Sequence, residues 1–174
     1  MSQLHGIVPI LPTPFDASGA IDERGFRRVI RYVLAAGAHG VAFPAMASEF
    51  YALTDDERLH LTSAMVDEVG GAVPVVGTAS AASPEATLAM ARAVEQAGVD
   101  VIMVMPPYVV REPLPAVTRL FERLASSVST PLMVQNAPPP LGSAFSVDAV
   151  AQLLASVPAV RYVKEEVMPG GQRM

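Results

Sequence analysis

One phrase repeats along the whole chain: a short, continuously apolar run, a turn, then a stretch with apolar residues three and four apart. The apolar runs are Ile7–Leu11, Gly40–Pro44, Val73–Gly77, Val101–Met105, Pro131–Gln135 and Val160–Lys164, spaced roughly 28–33 residues apart. Runs of this length read as strands, and their lack of polar alternation implies burial on both faces, as in a parallel sheet covered by helices. The stretches between them read as five helices with their own start and stop signals. Asp22 and Glu23 open the first helix, whose apolar face is Phe26, Val29, Ile30, Val33 and Leu34, and Gly37 is placed to end it. Thr54 and Glu57 have the spacing of a capping box ahead of Leu61, Met65 and Val69. Ser83-Pro84 is a cap followed by proline at the first helical position, and that helix runs to Gly98. Val117, Leu120, Phe121 and Leu124 mark a fourth helix, and Ser146 caps a fifth containing Val150, Leu153 and Leu154.

Two α/β architectures fit this alternation, a doubly wound sheet and a (β/α)8 barrel. No glycine-rich phosphate fingerprint follows the first strand, which disfavours the dinucleotide-binding sheet. The expectation is a (β/α)8 barrel, residues 1–174 forming a single domain with about six βα units. A whole barrel has eight strands and about 250 residues, so the expectation is also of an incomplete one, truncated at its C-terminal side. Unpaired sheet edges invite association. A six-stranded open sheet, complete as it stands, is the alternative.

Composition excludes several function classes. Half the residues are hydrophobic (51%), enough for a large core. The chain has no cysteine, hence no disulfide framework and no thiolate zinc site. His5, His39 and His60 lack metal-ligand spacing, so no metal is expected. A net charge of −5 without a basic cluster argues against nucleic acid. No apolar run approaches the ~18 residues of a membrane span, and Met1–Pro14 does not read as a signal peptide. A cytoplasmic protein is the expectation.

The charge pattern is more pointed. Of twelve cations, eleven are arginine and one, Lys164, is lysine. An amine can lose its proton and add to a carbonyl, which a guanidinium cannot. Lys164 stands at the end of the sixth apolar run, where parallel α/β barrels gather their reacting groups. The other strand ends offer Thr13, Ser48 and Glu49, Thr78 and Ser80, Tyr108, Gln135 and Asn136, and Glu165 and Glu166. Read singly, Glu49 suits a loop-holding role, Asn136 a turn, and Glu165-Glu166 either a solvent pair or an acid/base pair. Together these hydroxyls, amides and a phenol around one amine suggest a carbonyl-activating site. Apolar burial would disfavour the ammonium and free the nucleophile.

These residues coincide with a known pattern. Gly6–Phe15 followed by Asp22, the run Met105-Pro106-Pro107-Tyr108, and Tyr162-Val163-Lys164-Glu165 resemble the dihydrodipicolinate synthase and N-acetylneuraminate lyase family of class I aldolases. The resemblance covers essentially all 174 residues. It implies an eight-stranded barrel, often tetrameric, acting on 2-oxo acids through a lysine imine without a cofactor. Lys164 would be the imine-forming residue and Tyr108 would help proton transfer, with Glu165 or water as the other candidates for the acid step. The chain departs from the pattern in two loops. The family's glycine–hydroxyl–hydroxyl–glycine–glutamate loop is Ala45-Met46-Ala47-Ser48-Glu49 here, and the strand-five tyrosine is Gln135. Amides of Ala47 and Ser48, with the Ser48 hydroxyl, would cradle a carboxylate; Gln135 would orient substrate; Glu49 and Asn136 would support the site. Proline 140 occupies the region of the arginine that dihydrodipicolinate synthases carry, so a divergent member is expected. The expected activity is that of a lyase on a pyruvate-like or keto-sugar acid, as a homotetramer or homodimer when full length. A non-catalytic binder of small acids, or a fragment without function, is the alternative.

Overall fold

The computed structural model describes residues 3–140, 142 and 144–173. Two compact units divide it: residues 1–78 with 93–101, and residues 79–92 with 102–174.

The first unit contains α1 (Glu23–Ala35), β1 (Val41–Phe43), α2 (Asp55–Val69) and β2 (Val75–Thr78). Strands β1 and β2 pair in parallel, Val41 opposite Val75 and Phe43 opposite Gly77. The expected first strand, Ile7–Leu11, is reduced to one bridge, Ile10 to Ala42. Proline accounts for this: Pro9 and Pro12 have no N–H to give a ladder, while the Pro9 carbonyl still accepts from Ala42 N at 3.0 Å. The helix signals work as read. The Asp22 carboxylate accepts from Gly25 N at 2.8 Å. Thr54 and Glu57 close their box, with Glu57 N donating to Thr54 Oγ1 at 3.2 Å and Thr54 N to Glu57 Oε2 at 2.8 Å. Gly70 ends α2 at φ +55°, a left-handed conformation that costs glycine nothing. Phe26 of α1 and Phe43 of β1 stack with centroids 4.8 Å apart, and both are fully buried.

On the outside of this unit α1 and α2 share a charge network. Arg27 reaches Glu23, Asp67 and Glu68 at 2.9, 2.8 and 3.1 Å, and Arg31 reaches Glu68 at 2.6 Å. The Arg27 hydrogen bond is the first cause holding the Glu68 carboxyl below the ordinary glutamate range. For Glu23 the first cause is the hydrogen bond with His60, the second Arg27. A carboxylate whose proton affinity is lowered on folding contributes stability above the unfolded-state range and loses it as pH falls through the folded-state value. The Tm difference between the native chain and Arg27→Met is therefore expected to shrink between pH 7 and pH 3. Melting curves at both pH values measure it; a difference that stays constant would remove the network from the account. The effect is modest, because the pairs are largely exposed.

The second unit contains β3 (Val101–Val104) apart from its first residue, α4 (Leu114–Ala125), β4 (Leu132–Asn136), α5 (Val147–Ser156) and β5 (Val160–Glu165). Helix α3 (Pro84–Gln96) begins in this unit and ends in the first. Strands β3, β4 and β5 pair in that order, all parallel. Phe121 and Leu124 of α4 and Leu132 of β4 are wholly buried here. Ser146 caps α5, accepting from Ala149 N at 3.2 Å. The β4–β5 ladder carries one irregularity. Leu132 faces Val160, but Met133 faces Tyr162, leaving Arg161 as an extra residue in β5. Beyond this bulge the register is regular: Val134 faces Val163, Gln135 faces Lys164 and Asn136 faces Glu165.

Candidate active site

Side chains alternate across a strand, so this register creates two different clusters at the carboxyl ends of β4 and β5. On one face stand Gln135, Lys164 and Glu166. Lys164 Nζ donates to Glu166 Oε1 in a short contact. Gln135 Nε2 donates to the other carboxylate oxygen, Oε2, at 2.8 Å. Glu166 N donates to the Asn136 carbonyl at 3.0 Å, which continues the strand pairing one residue beyond β5 and fixes the carboxylate's origin. Gln135 is almost wholly buried, while Lys164 and Glu166 keep 24% and 27% of their side-chain exposure. The amine is thus reachable from solvent, and its immediate partners are polar. That corrects the expectation of a lysine enclosed by apolar groups: a carboxylate at i+2 on the same strand face occupies the space.

On the opposite face Asn136 and Glu165 form a structural clamp. Asn136 accepts from Phe145 N at 2.9 Å and donates to Phe145 O at 3.1 Å, tying the strand to the loop that follows. It also donates to Glu165 Oε2 at 2.9 Å. The Glu165 side chain, only 5% exposed, accepts Val167 N at 2.8 Å and pairs with Arg173 Nε at 3.4 Å. Arg173 in turn donates to Phe145 O. Val163, on the same face, joins Val147, Val150 and Leu154 of α5 around a recess of about 300 Å³. Of the two adjacent glutamates, therefore, Glu165 is committed to structure, and Glu166 touches the amine. The sequence reading names Glu165, not Glu166, among the groups for proton transfer, and the structure turns it to the other face; the i, i+2 spacing of Lys164 and Glu166 is the signal that points to Glu166. Arg173 was missed because nothing in its local sequence marks it.

The remaining candidates have their own places. Tyr108 opens the turn 108–111 directly after Pro106-Pro107 and is half-buried. Ser80 Oγ accepts from Met105 N at 2.8 Å and serves the loop after β3.

In the first unit, Met46–Ser48 and Phe50–Ala52 are two short 3-10 turns joined at Glu49, which sits at φ +56°, ψ +39°. Ala47 is exposed on the first turn. The Ser48 hydroxyl, expected to face a ligand, is instead fully buried and spent on the loop. It donates to Leu11 O at 2.5 Å and accepts from Ala45 N at 3.1 Å, while Ser48 O accepts from Thr13 Oγ1 at 2.7 Å. Glu49 holds the loop through its backbone, its carbonyl accepting from Ala52 N at 2.8 Å. Thr78, at the end of β2, has a buried hydroxyl without a hydrogen-bond partner among the described residues.

No group of three or more metal-ligating side chains occurs among the described residues. No helix among them is long and apolar enough to cross a membrane.

Residues 3–169 match the model of the dihydrodipicolinate synthetase family. An L-2-keto-3-deoxyarabonate dehydratase of Azospirillum brasilense is 34% identical over 169 residues, which take in 95% of this chain and 54% of the relative. A 4-hydroxy-tetrahydrodipicolinate synthase of Methanopyrus kandleri is 32% identical over 164 residues, 94% of this chain and 55% of that protein. Among solved structures, a prophage protein of the dihydrodipicolinic acid synthase family from E. coli K12, in complex with pyruvate, aligns with a TM-score of 0.88 at 29% identity. That alignment covers 93% of this chain and 54% of the other. A dihydrodipicolinate synthase from Aquifex aeolicus gives 0.89 at 20% identity, covering 98% and 57%, a likeness of fold. The chain spans about half the length of the curated relatives it matches, and its fold is that of an incomplete (β/α)8 barrel.

Proposed function

Since the chain belongs to the dihydrodipicolinate synthetase family, we propose that it is a lyase that forms an imine between Lys164 and the ketone of a 2-oxo acid. The observation that carries this is the placing of the chain's one lysine, solvent-reachable, opposite Gln135 at the carboxyl ends of paired parallel strands. The protonated imine withdraws electrons from the neighbouring carbons. A carbon–carbon bond can then break or form, or, once the carbon next to the imine has given up a proton, a hydroxyl two carbons from the imine carbon can leave as water. Tyr108 is assigned to proton transfer and Gln135 to orientation. An amide does not titrate, so Gln135 donates a hydrogen bond where the resembling enzymes have a phenol. Two relatives support the substrate class by their names: one a dehydratase of a 2-keto-3-deoxy acid, one solved with pyruvate.

The test is reductive trapping. The chain is incubated with pyruvate, and separately with 2-oxo-3-deoxy sugar acids, before borohydride is added and the peptides are weighed. A reduced adduct on the peptide containing Lys164 is the expected result, with yields ranking the substrates. Tight 2-oxo acid binding without any adduct would instead identify a non-catalytic binder and end the lyase reading.

A further inference from the structure

We infer that Glu166 is the proton carrier of imine formation at Lys164, an assignment that rests on the Schiff-base reading above. Three observations lead to it. Glu166 is the carboxylate in direct contact with the reacting nitrogen. Its second oxygen is held by Gln135 Nε2 at 2.8 Å and its backbone by Asn136 O, so the carboxylate is aimed rather than waving in solvent. The neighbouring carboxylate, Glu165, is spent on Arg173, Asn136 and Val167 N on the other side of the strand. Where the resembling enzymes carry a phenol on β4, this chain has a neutral amide, and that amide points its donor at Glu166.

The steps balance with this one group. The Lys164 ammonium gives a proton to Glu166, breaking N–H and forming O–H. The amine's electron pair attacks the ketone carbon, and the carbonyl π pair moves to oxygen. Protonated Glu166 gives that oxygen its proton, which makes a carbinolamine still protonated on nitrogen. Glu166 then takes the proton from nitrogen and returns it to the hydroxyl. Water leaves as the nitrogen pair forms the C=N bond. The products are one water, the iminium cation and a Glu166 carboxylate beside it to balance its charge. The groups facing Glu166 are Lys164 on its own strand and Gln135 on β4; the charged pair Glu165–Arg173 lies on the opposite face.

The measurement is the rate of pyruvate adduct formation on Lys164, by timed borohydride quench, across pH 4 to 9. In the native chain the rate is expected to hold a plateau around neutral pH and to fall on the acid side. Glu166→Gln keeps the acceptor for Gln135 but cannot carry a proton. Its rate should drop about 100-fold at pH 7, the lower end of what general acid–base catalysis contributes. Its plateau should vanish, leaving a rate that rises steadily with pH. Glu166→Asp, with the carboxylate drawn back by one methylene, should recover to within about tenfold of the native rate and regain the plateau. A Glu166→Gln chain with native rate and native pH profile overturns the assignment while leaving the lysine reading intact. No adduct in the native chain defeats the lysine reading, and this assignment with it. Should Glu166→Gln fail to melt cooperatively, the Asp variant decides alone: a rate and pH profile indistinguishable from the native chain's, although the carboxylate is drawn back from the amine, overturn the assignment.

Discussion

Lys164→Arg abolishes pyruvate trapping at position 164 while the chain keeps its fold. This is the sharpest expected result, because the substitution removes one property and keeps the rest. Arginine preserves the positive charge that faces Glu166, so the carboxylate is not left uncompensated. A guanidinium, however, stays protonated under all workable conditions and offers no electron pair to a ketone. The site is about one quarter exposed, so the larger head group has room. Its melting temperature should stay within a few degrees of the native value, the span of about 1 kcal/mol for a chain of this size. The sequence makes the readout clean. With one lysine in 174 residues, the amino terminus is the other amine able to trap pyruvate. Peptide mass spectrometry separates these two sites without ambiguity. An adduct confined to the amino-terminal peptide in both chains would show that the trapping was never enzymatic.

The largest expected loss of stability comes from Phe26→Ala. Phe26 and Phe43 are fully buried and tilted against each other at 4.8 Å, with α1 on one side and β1 on the other. Truncation removes the ring's burial and the aromatic contact and leaves a cavity between helix and strand. Such changes cost about 3–5 kcal/mol, a large share of the 5–15 kcal/mol that typically separates folded from unfolded chains. At about 2–4 °C per kcal/mol for a chain of this length, Tm should fall by roughly 10 °C. Phe26→Leu, which refills most of the volume, should recover more than half of that loss. A calorimetric scan of the three chains tests the pair; an alanine variant melting with the native chain would mean that this unit's core lies elsewhere.

The parts of this molecule that could be read beforehand are those that depend on neighbours in the chain. Asp22, Thr54 with Glu57, Ser83-Pro84 and Ser146 each sit at the start of the helix they were expected to open, because capping is a contact over three residues. The parallel pairing followed from apolar runs without alternation. What could not be read depends on contacts across 30 or so residues. Pro9 inside and Pro12 just after the run Ile7–Leu11 interrupt what is apolar enough for a strand, and their missing N–H groups cut it to one bridge. Ser48 looked like a ligand contact because its partner, Leu11 O, lies 37 residues away. Glu165 and Glu166 are chemically identical in the sequence; only the pairing of Asn136 with Glu165 and of Gln135 with Lys164 gives them different work.

The extra residue in β5 has a further meaning. If the strand alternated without interruption from Val160, then Tyr162 and Lys164 would share Val160's side. Val160 stands opposite Leu132, on the side that Val134 and Val163 share with α5. The amine would then be pressed against a helix among valines and leucines, and Glu165 would hold the place beside Gln135. Arg161 resets the count by one. A strand has only odd and even, and a bulge exchanges them. The side on which Lys164 stands is thus a matter of parity, decided three residues before it by an arginine and a ladder irregularity.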